Sequence, residues 1–229
     1  MNELKVQDIK TKGKFMYWVF DCDWFMFSTF GMSGMWAIRK EKHPCFVLEF
    51  SDENYSNHQQ LAFNDPRHFG TIKFTNNKQD LINKLNSLGW DPLSEELTPS
   101  IINTITNRFA KSNKTISQVL MDQSIFAGVG NYLKCEILYA SHISPWRSCN
   151  LLTAGDIVLI CQSAADIAKA SYQNNGASLH TYTDANGNKG NYSNFFKVYG
   201  RKLDPLGNQI IRETTPDKRT THWSPTVQK

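Results

Sequence analysis

The apolar positions of the chain change their period as it runs. In the first third they cluster in short aromatic-rich runs, KFMYWVF (Lys14 to Phe20), WFMFSTF (Trp24 to Phe30) and CFVLEF (Cys45 to Phe50), separated by polar turns. Runs of that length and composition predict β-strands. QLAF and GTIKF predict two more, flanking NDPRHFG (Asn64 to Gly70). The period then lengthens. Leu81, Ile82, Leu85 and Leu88 fall on one helical stripe, and Thr98-Pro99 reads as an N-cap with proline at the first helical position, opening a helix to Ala110. Thr153, with Asp156 three residues on, predicts the cap of a long helix ending near Tyr172. From Gln173 to Asn194 the chain turns to Asn, Gly, Ser and Thr without apolar period, which predicts a long loop. The tail from Lys197 to Lys229 alternates weakly between Gly, Pro and Asn turn signals and suits a small β-hairpin unit. The sum is an α+β protein: a β domain over 1–92, a helical domain over 93–197 and a hairpin appendage over 198–229.

Composition refines this picture only slightly. The chain has 229 residues, 40% hydrophobic and 20% charged, enough for one or two domains with real cores. No apolar run approaches the roughly eighteen residues of a membrane span. The N-terminus carries Lys5, Asp8 and Lys10 without an apolar signal core, so an intracellular protein is expected, and a monomer. A formal charge of +4 permits nucleic-acid binding without arguing for it. Cys22, Cys45, Cys135, Cys149 and Cys161 are scattered and form no C-x-x-C pair, which indicates neither a disulfide framework nor a cysteine zinc site.

The most informative stretch is MDQSIFAGVGNYLKCEILYASHISP, Met121 to Pro145. It reads as one helix interrupted by a glycine turn at Gly128 and Gly130, with Asn131 as the N-cap of the second part. Leu133, Ile137 and Leu138 then share a face. Bare backbone N–H groups and an Asn side chain at a helix start form a natural anion site, and phosphate is the obvious anion. Lys134, one turn on, adds a cation. The plainer reading is a capped turn between two core helices.

Met121-Asp122-Gln123, Gly128-Val129-Gly130-Asn131, Glu136 and Pro145 together resemble the helix–two-turn–helix motif of the formamidopyrimidine-DNA glycosylase/endonuclease VIII family. GVGNYLKCEILY looks closest to the eukaryotic and viral endonuclease VIII-like branch. The resemblance extends along most of the chain. KGKFMYWVF is similar to the family's Gly-Lys strand and implies that Lys14 is its catalytic lysine; FGMSGMW implies that Met32 is its intercalating residue; NDPRHFG implies that Arg67 and Phe69 fill the space a flipped base leaves. The resemblance further implies DNA contacts at His43 and Asn131. KVYGRKLDPLGNQIIRETTPDKRTTHWSPTVQK is similar to the C-terminal finger and places the finger arginine, the second catalytic residue, on Arg219.

Two departures stand out. The finger's cysteine positions fall near Leu203 and Leu206 and on Ser224 and Val227, none of them a zinc ligand. A zincless finger is expected, with no metal and no cofactor. The family's nucleophile is an N-terminal proline followed by Glu at the head of a helix, whereas here MNEL opens the chain and only residues 1–13 precede Lys14. A truncated β-sandwich lacking that segment is therefore expected. What the resemblance implies is a bifunctional glycosylase and AP lyase for oxidised bases in duplex or single-stranded DNA: it flips a nucleotide, expels the base through an imine at C1′, and cleaves by β- and δ-elimination. The competing expectation is a DNA-binding remnant without catalysis. An RNA-binding helix–two-turn–helix protein of ribosomal type is a third, against which the wedge and finger motifs argue. Taken singly, each site residue has a plain alternative: core packing for Met32, a solvated charge for Lys14, Arg67 and Arg219.

Overall fold

The computed structural model describes residues 4–38, 44–52, 55–178 and 184–229, which form two compact units. The first comprises residues up to Ile82 together with Asn174–Ser193; the second comprises Asn83–Gln173 and Asn194–Lys229. The division falls inside one helix, and the loop after Gln173 returns to the first unit.

The first unit is a sandwich of two antiparallel sheets. Strands β1 (Val6–Lys12), β2 (Phe15–Phe20), β3 (Phe25–Thr29) and β7 (Thr71–Thr75) form one sheet in that order, and β4 (Met35–Ala37), β6 (Tyr55–Asn64) and β5 (Phe46–Asp52) form the other. Trp18, Phe20 and Met26 from the first sheet meet Trp36 and Phe63 from the second in one buried cluster. The runs predicted as strands supply that core except for Trp36, which lies on β4. Two strands escaped prediction. β1, VQDIKTK, is an edge strand with almost no buried side chain, and β4 is three residues long.

The second unit holds the helices. The unit division cuts α1 (Lys78–Asn86), whose stripe buries Leu81. α2 (Pro99–Ala110) starts where the Thr98-Pro99 signal places it, with Thr98 Oγ1 accepting from Ile101 N at 3.3 Å. α5 (Ala154–Gln173) opens on a reciprocal box: Thr153 N donates to Asp156 Oδ2 at 2.9 Å and Asp156 N to Thr153 Oγ1 at 3.1 Å. α3 (Ile116–Leu120) and α4 (Asn131–Ala140) complete the set, packed around Phe109, Phe126, Leu120, Ile137 and Ile160. Met121 to Gln123 belong to no helix, because the chain leaves α3 at Leu120.

Strands β8 (Ile211–Thr214) and β9 (Thr220–Trp223) form the C-terminal hairpin. Around the positions where the family's finger has zinc ligands, hydrogen bonds hold the backbone. Asp204 carries the network: its Oδ1 accepts from Leu206 N (2.9 Å) and Asn208 N (2.8 Å), and its Oδ2 from Ser224 Oγ (2.8 Å). Ser224 N donates to Gln228 Oε1 at 2.8 Å, and Gln228 Nε2 donates to Ile143 O at 3.0 Å. Leu203 and Leu206 are exposed. No group of three or more His, Cys, Asp or Glu among the described residues could hold a metal ion, and Leu203, Leu206, Ser224 and Val227 offer no set of zinc donors. No described helix is long and apolar enough to cross a membrane.

Burial alone would raise the Asp204 carboxyl, but its donors, Asn208 and Ser224 foremost, outweigh that and hold it below the ordinary 3.8. A carboxyl depressed in the fold contributes stability that is fully present above about pH 5 and is lost as pH falls through the folded-state value. Thermal unfolding followed from pH 6 to pH 3 is expected to show a steep acid loss that flattens in Asp204→Asn; an unchanged slope would refute this account of the hairpin.

Candidate nucleic-acid interface

In the first unit, sheet register gathers the expected site residues. Lys12 faces Phe15, so Gly13 and Lys14 form a two-residue hairpin turn with Gly13 at φ 56°. Lys14 is thus a turn residue immediately before β2 rather than its first strand residue. Met16 pairs with Ser28, and Thr29 with Thr71. The start of β2, the end of β3 and the start of β7 therefore share one end of the sheet. Lys14, the turn after β3 that carries Met32, and the loop before β7 that carries Arg67 and Phe69 all sit at that end.

One carboxylate joins two of these segments. Asp65, only 3% exposed, accepts from Ser33 Oγ and from Gly70 N, both at 2.6 Å, and its oxygens also face the amides of Arg67 and Phe69. Burial would raise this carboxyl; the donors outweigh it and hold it below the ordinary range. Gly31, at φ 59°, lies so close to Phe69 that a Cβ there would meet its backbone and Cβ at 2.6–2.8 Å. Only glycine permits that approach. The result presents apolar tips to solvent, Met32 at 46% and Phe69 at 57% exposure, with the Arg67 guanidinium 5.2 Å from the Phe69 ring centroid. Exposed apolar side chains on a braced support, beside a cation, suit insertion into a base stack. His43 lies outside the described residues. Asp65 and Ser33 went unassigned in the sequence, although an acid before Pro66 and a serine between glycine-flanked positions were both legible.

In the second unit the helix start differs in detail from the expectation. Gly130, not Asn131, is the N-cap, with extended backbone and its carbonyl accepting from Lys134 N at 2.8 Å. Asn131 is the first helical residue, its side chain being used elsewhere. Of the two glycines, only Gly128 takes the left-handed region, at φ 93°. Gln123 fixes the turn: Nε2 donates to Met121 O and Val129 O, and Oε1 accepts from Gly128 N, all at 3.0 Å.

The Asn131 side chain donates from Nδ2 to Thr220 O at 2.9 Å, while its buried Oδ1 has no hydrogen-bond partner. Nδ2 carries a second hydrogen, which can serve an acceptor such as phosphate. Thr220 follows Arg219, so the helix start and the hairpin tip are brought together. Lys134 completes the link and corrects an expectation. It is fully buried, its Nζ 2.6 Å from Asp217 Oδ2 and 2.7 Å from Thr221 Oγ1, and it faces no solvent-borne anion. Three residues beyond Asn131, its side chain points along the same helix face into the hairpin. Asp217 also accepts from Thr215 Oγ1, and Lys218 turns the tip at φ 61°, leaving Arg219 exposed.

Glu136 staples the chain before the hairpin: Oε2 accepts from Lys197 N (2.8 Å), and Oε1 from Val198 N (3.0 Å) and Tyr199 N (2.8 Å). Burial pushes its carboxyl up, opposed by those three donors.

Residues 1–72 match the family described as formamidopyrimidine-DNA glycosylase N-terminal domain, 88–183 the corresponding H2TH domain and 184–229 the C-terminal domain. The formamidopyrimidine-DNA glycosylase of Lactiplantibacillus plantarum is 30% identical, with 98% of this chain and 82% of that protein aligned. That of Mycoplasma pneumoniae is 32% identical over 85% of this chain and 70% of its own. Among solved structures, a Lactococcus lactis Fpg variant in complex with Fapy-dG-containing DNA superposes with a TM-score of 0.87 at 26% identity, covering 100% of this chain and 83% of that one. The complex of L. lactis Fpg with abasic-site DNA gives 0.86 at 27%, covering 99% and 83%. The chain belongs to the formamidopyrimidine-DNA glycosylase family. The N-terminal domain match takes in residues 1–72 and the relatives align over nearly the whole chain, so the comparisons do not support the expectation of a missing N-terminal segment. The relatives named carry the formamidopyrimidine name, so the narrower endonuclease VIII-like placement gains nothing from them.

Removing either clamp has a distinct signature. Asp217→Ala strands the Lys134 ammonium and is expected to cost about 3–5 kcal/mol, seen in chemical denaturation, with most of it recovered when Lys134→Met is added. Asp65→Ala leaves the Ser33 hydroxyl and the Gly70 amide without their acceptor. It is expected to raise amide hydrogen exchange across 65–70, whereas protection equal to wild type would refute the bracing role.

Proposed function

We propose that the protein is a DNA glycosylase and AP lyase that excises oxidised purines, formamidopyrimidine lesions foremost. The observation that carries this is the Asp65-braced pair of turns presenting Met32, Arg67 and Phe69. An enzyme that acts on a base inside a duplex must extrude it and fill the space left behind. Met32 and Phe69 are apolar tips suited to wedge between bases, and Arg67 reaches the orphaned base or a phosphate. Asn131 anchors backbone phosphate near the helix start, and Arg219, fixed beside it by the Thr220 contact, holds the phosphate at the lesion. His43 is assigned a further DNA contact. The L. lactis complexes hold DNA containing Fapy-dG and an abasic site, ligands of the same chemistry.

In the chemical step an amine attacks C1′, the damaged base departs with the bonding electrons and a proton, and the imine left on the sugar undergoes elimination. Lys14, in the turn before β2, contacts the phosphate flanking the lesion and assists the proton transfers that follow. Arg219 promotes the second elimination.

Duplex DNA carrying a Fapy-dG or an abasic site is the direct test. Strand incision and borohydride-trapped complex are the expected outcomes; binding to the abasic duplex with neither would replace this reading with a DNA-binding remnant. Arg219→Ala is expected to slow incision without abolishing trapping, and to lower the slope of log K against log salt by about 0.9, the loss of one neutralised phosphate. Phe69→Ala is expected to weaken incision of duplex on the order of tenfold, corresponding to about 1.4 kcal/mol of lost stacking.

A further inference from the structure

Of the cysteines, Cys135, Cys149 and Cys161 are buried, and burial pushes their thiols up to about 12. They are inert at neutral pH. Cys22 and Cys45 are exposed. Cys22 lies in the β2–β3 turn at φ 54°. Cys45 has different neighbours: its Sγ is 3.7 Å from His68 Nδ1 and 3.5 Å from Asp65 O. The thiol therefore lies within reach of a backbone carbonyl that accepts its proton and of an imidazole nitrogen that donates or accepts according to the tautomer. Both groups belong to the loop that presents Arg67 and Phe69. His68 holds the tight part of that loop, at φ 54° with its amide donating to Asp65 O at 3.1 Å. The Asp65 carbonyl thus receives both the His68 amide and the Cys45 thiol.

The geometry points to Cys45, paired with His68, as a thiol-modification site that takes low-molecular-weight disulfides and thereby sets the conformation of the Arg67–Phe69 loop. His68 Nδ1 accepts the thiol proton, and the Cys45 thiolate attacks one sulfur of the disulfide. A new S–S bond forms as the old one breaks, and the departing thiolate leaves with the electron pair and takes up the proton from His68. Cys45 is oxidised to a mixed disulfide, and half of the reagent is reduced to its thiol. The adduct has no S–H to give to Asp65 O, so the loop loses that contact. The consequence for DNA rests on the reading of Arg67 and Phe69 given above.

The test treats the full chain with glutathione disulfide at neutral pH and follows each cysteine by mass spectrometry. Cys45 is expected to gain the adduct on the order of tenfold faster than Cys22. His68→Asn, which tolerates the same backbone angles but supplies no base, removes that lead. The adduct is expected to weaken binding to an abasic duplex on the order of tenfold, reversibly with reductant, while Cys45→Ser binds alike with and without the reagent. Equal rates at Cys22 and Cys45, or a lead that survives His68→Asn, would overturn the site. Modification that leaves affinity unchanged would overturn its effect on the loop. Absence of any DNA binding by the unmodified protein would instead refute the functional reading, with the contrast in labelling rates still deciding the site.

Discussion

The buried ion pair of Lys134 and Asp217 constrains everything in the C-terminal half. An ammonium removed from water must be compensated where it lies, so the hairpin tip has one place to dock on α4. The helix repeat does the rest. Asn131, Lys134 and Cys135 fall on one face, and each is spent on the hairpin: Asn131 on Thr220 O, Lys134 on Asp217 and Thr221, Cys135 as acceptor for His222 N at 3.4 Å. Glu136 adds three amides from the chain that leads into the hairpin. Arg219 is exposed, yet the residues on both sides of it are fixed. A side chain held in this way can meet an anion with little ordering cost.

The β unit reaches the same end with a different acid. Asp65 gathers donors from two turns distant in sequence, as Asp204 gathers them from both ends of the C-terminal region. In both cases the donors hold the carboxyl below its ordinary value although burial works against them. A depressed carboxylate is a charge kept at neutral pH, and charge-assisted hydrogen bonds are the stronger kind. Irregular backbone that must present side chains outward thus obtains its order from buried acids beneath it.

Much of this was legible in the residues. Thr98-Pro99 and Thr153-x-x-Asp156 start helices because capping is local chemistry, decided within four residues. The aromatic runs Lys14 to Phe20 and Trp24 to Phe30 read as strands because side-chain pattern and burial coincide in them. β1 was hidden because an edge strand pairs through its backbone and needs no apolar signal. The assignments that failed concern side chains whose partners are far off in sequence. Asn131 reads as a cap, and Lys134 as a phosphate cation, until Thr220 and Asp217 arrive from more than eighty residues away. Local spacing determines which face a residue occupies; it does not determine what comes to cover that face. The same limit hid Asp65, whose importance lies in Ser33.

The finger region shows how such distant contacts become necessary. A structural zinc site ties its loops with four strong bonds, contributing about 10–16 kcal/mol to folding. Here Leu203, Leu206, Ser224 and Val227 supply no such ties, and hydrogen bonds to a charged group such as Asp204 contribute about 1.5–3 kcal/mol each. A hairpin of four-residue strands with that support alone would be marginal. Its order must therefore come from elsewhere, and α4 supplies it through the packing of Val198 and Ile210 against Cys135, the Asn131 and Cys135 hydrogen bonds and the Lys134 ion pair. Without metal donors, the hairpin cannot be an independent module and becomes an extension of α4. That dependence makes the position of Arg219 a property of the helix that also carries Asn131.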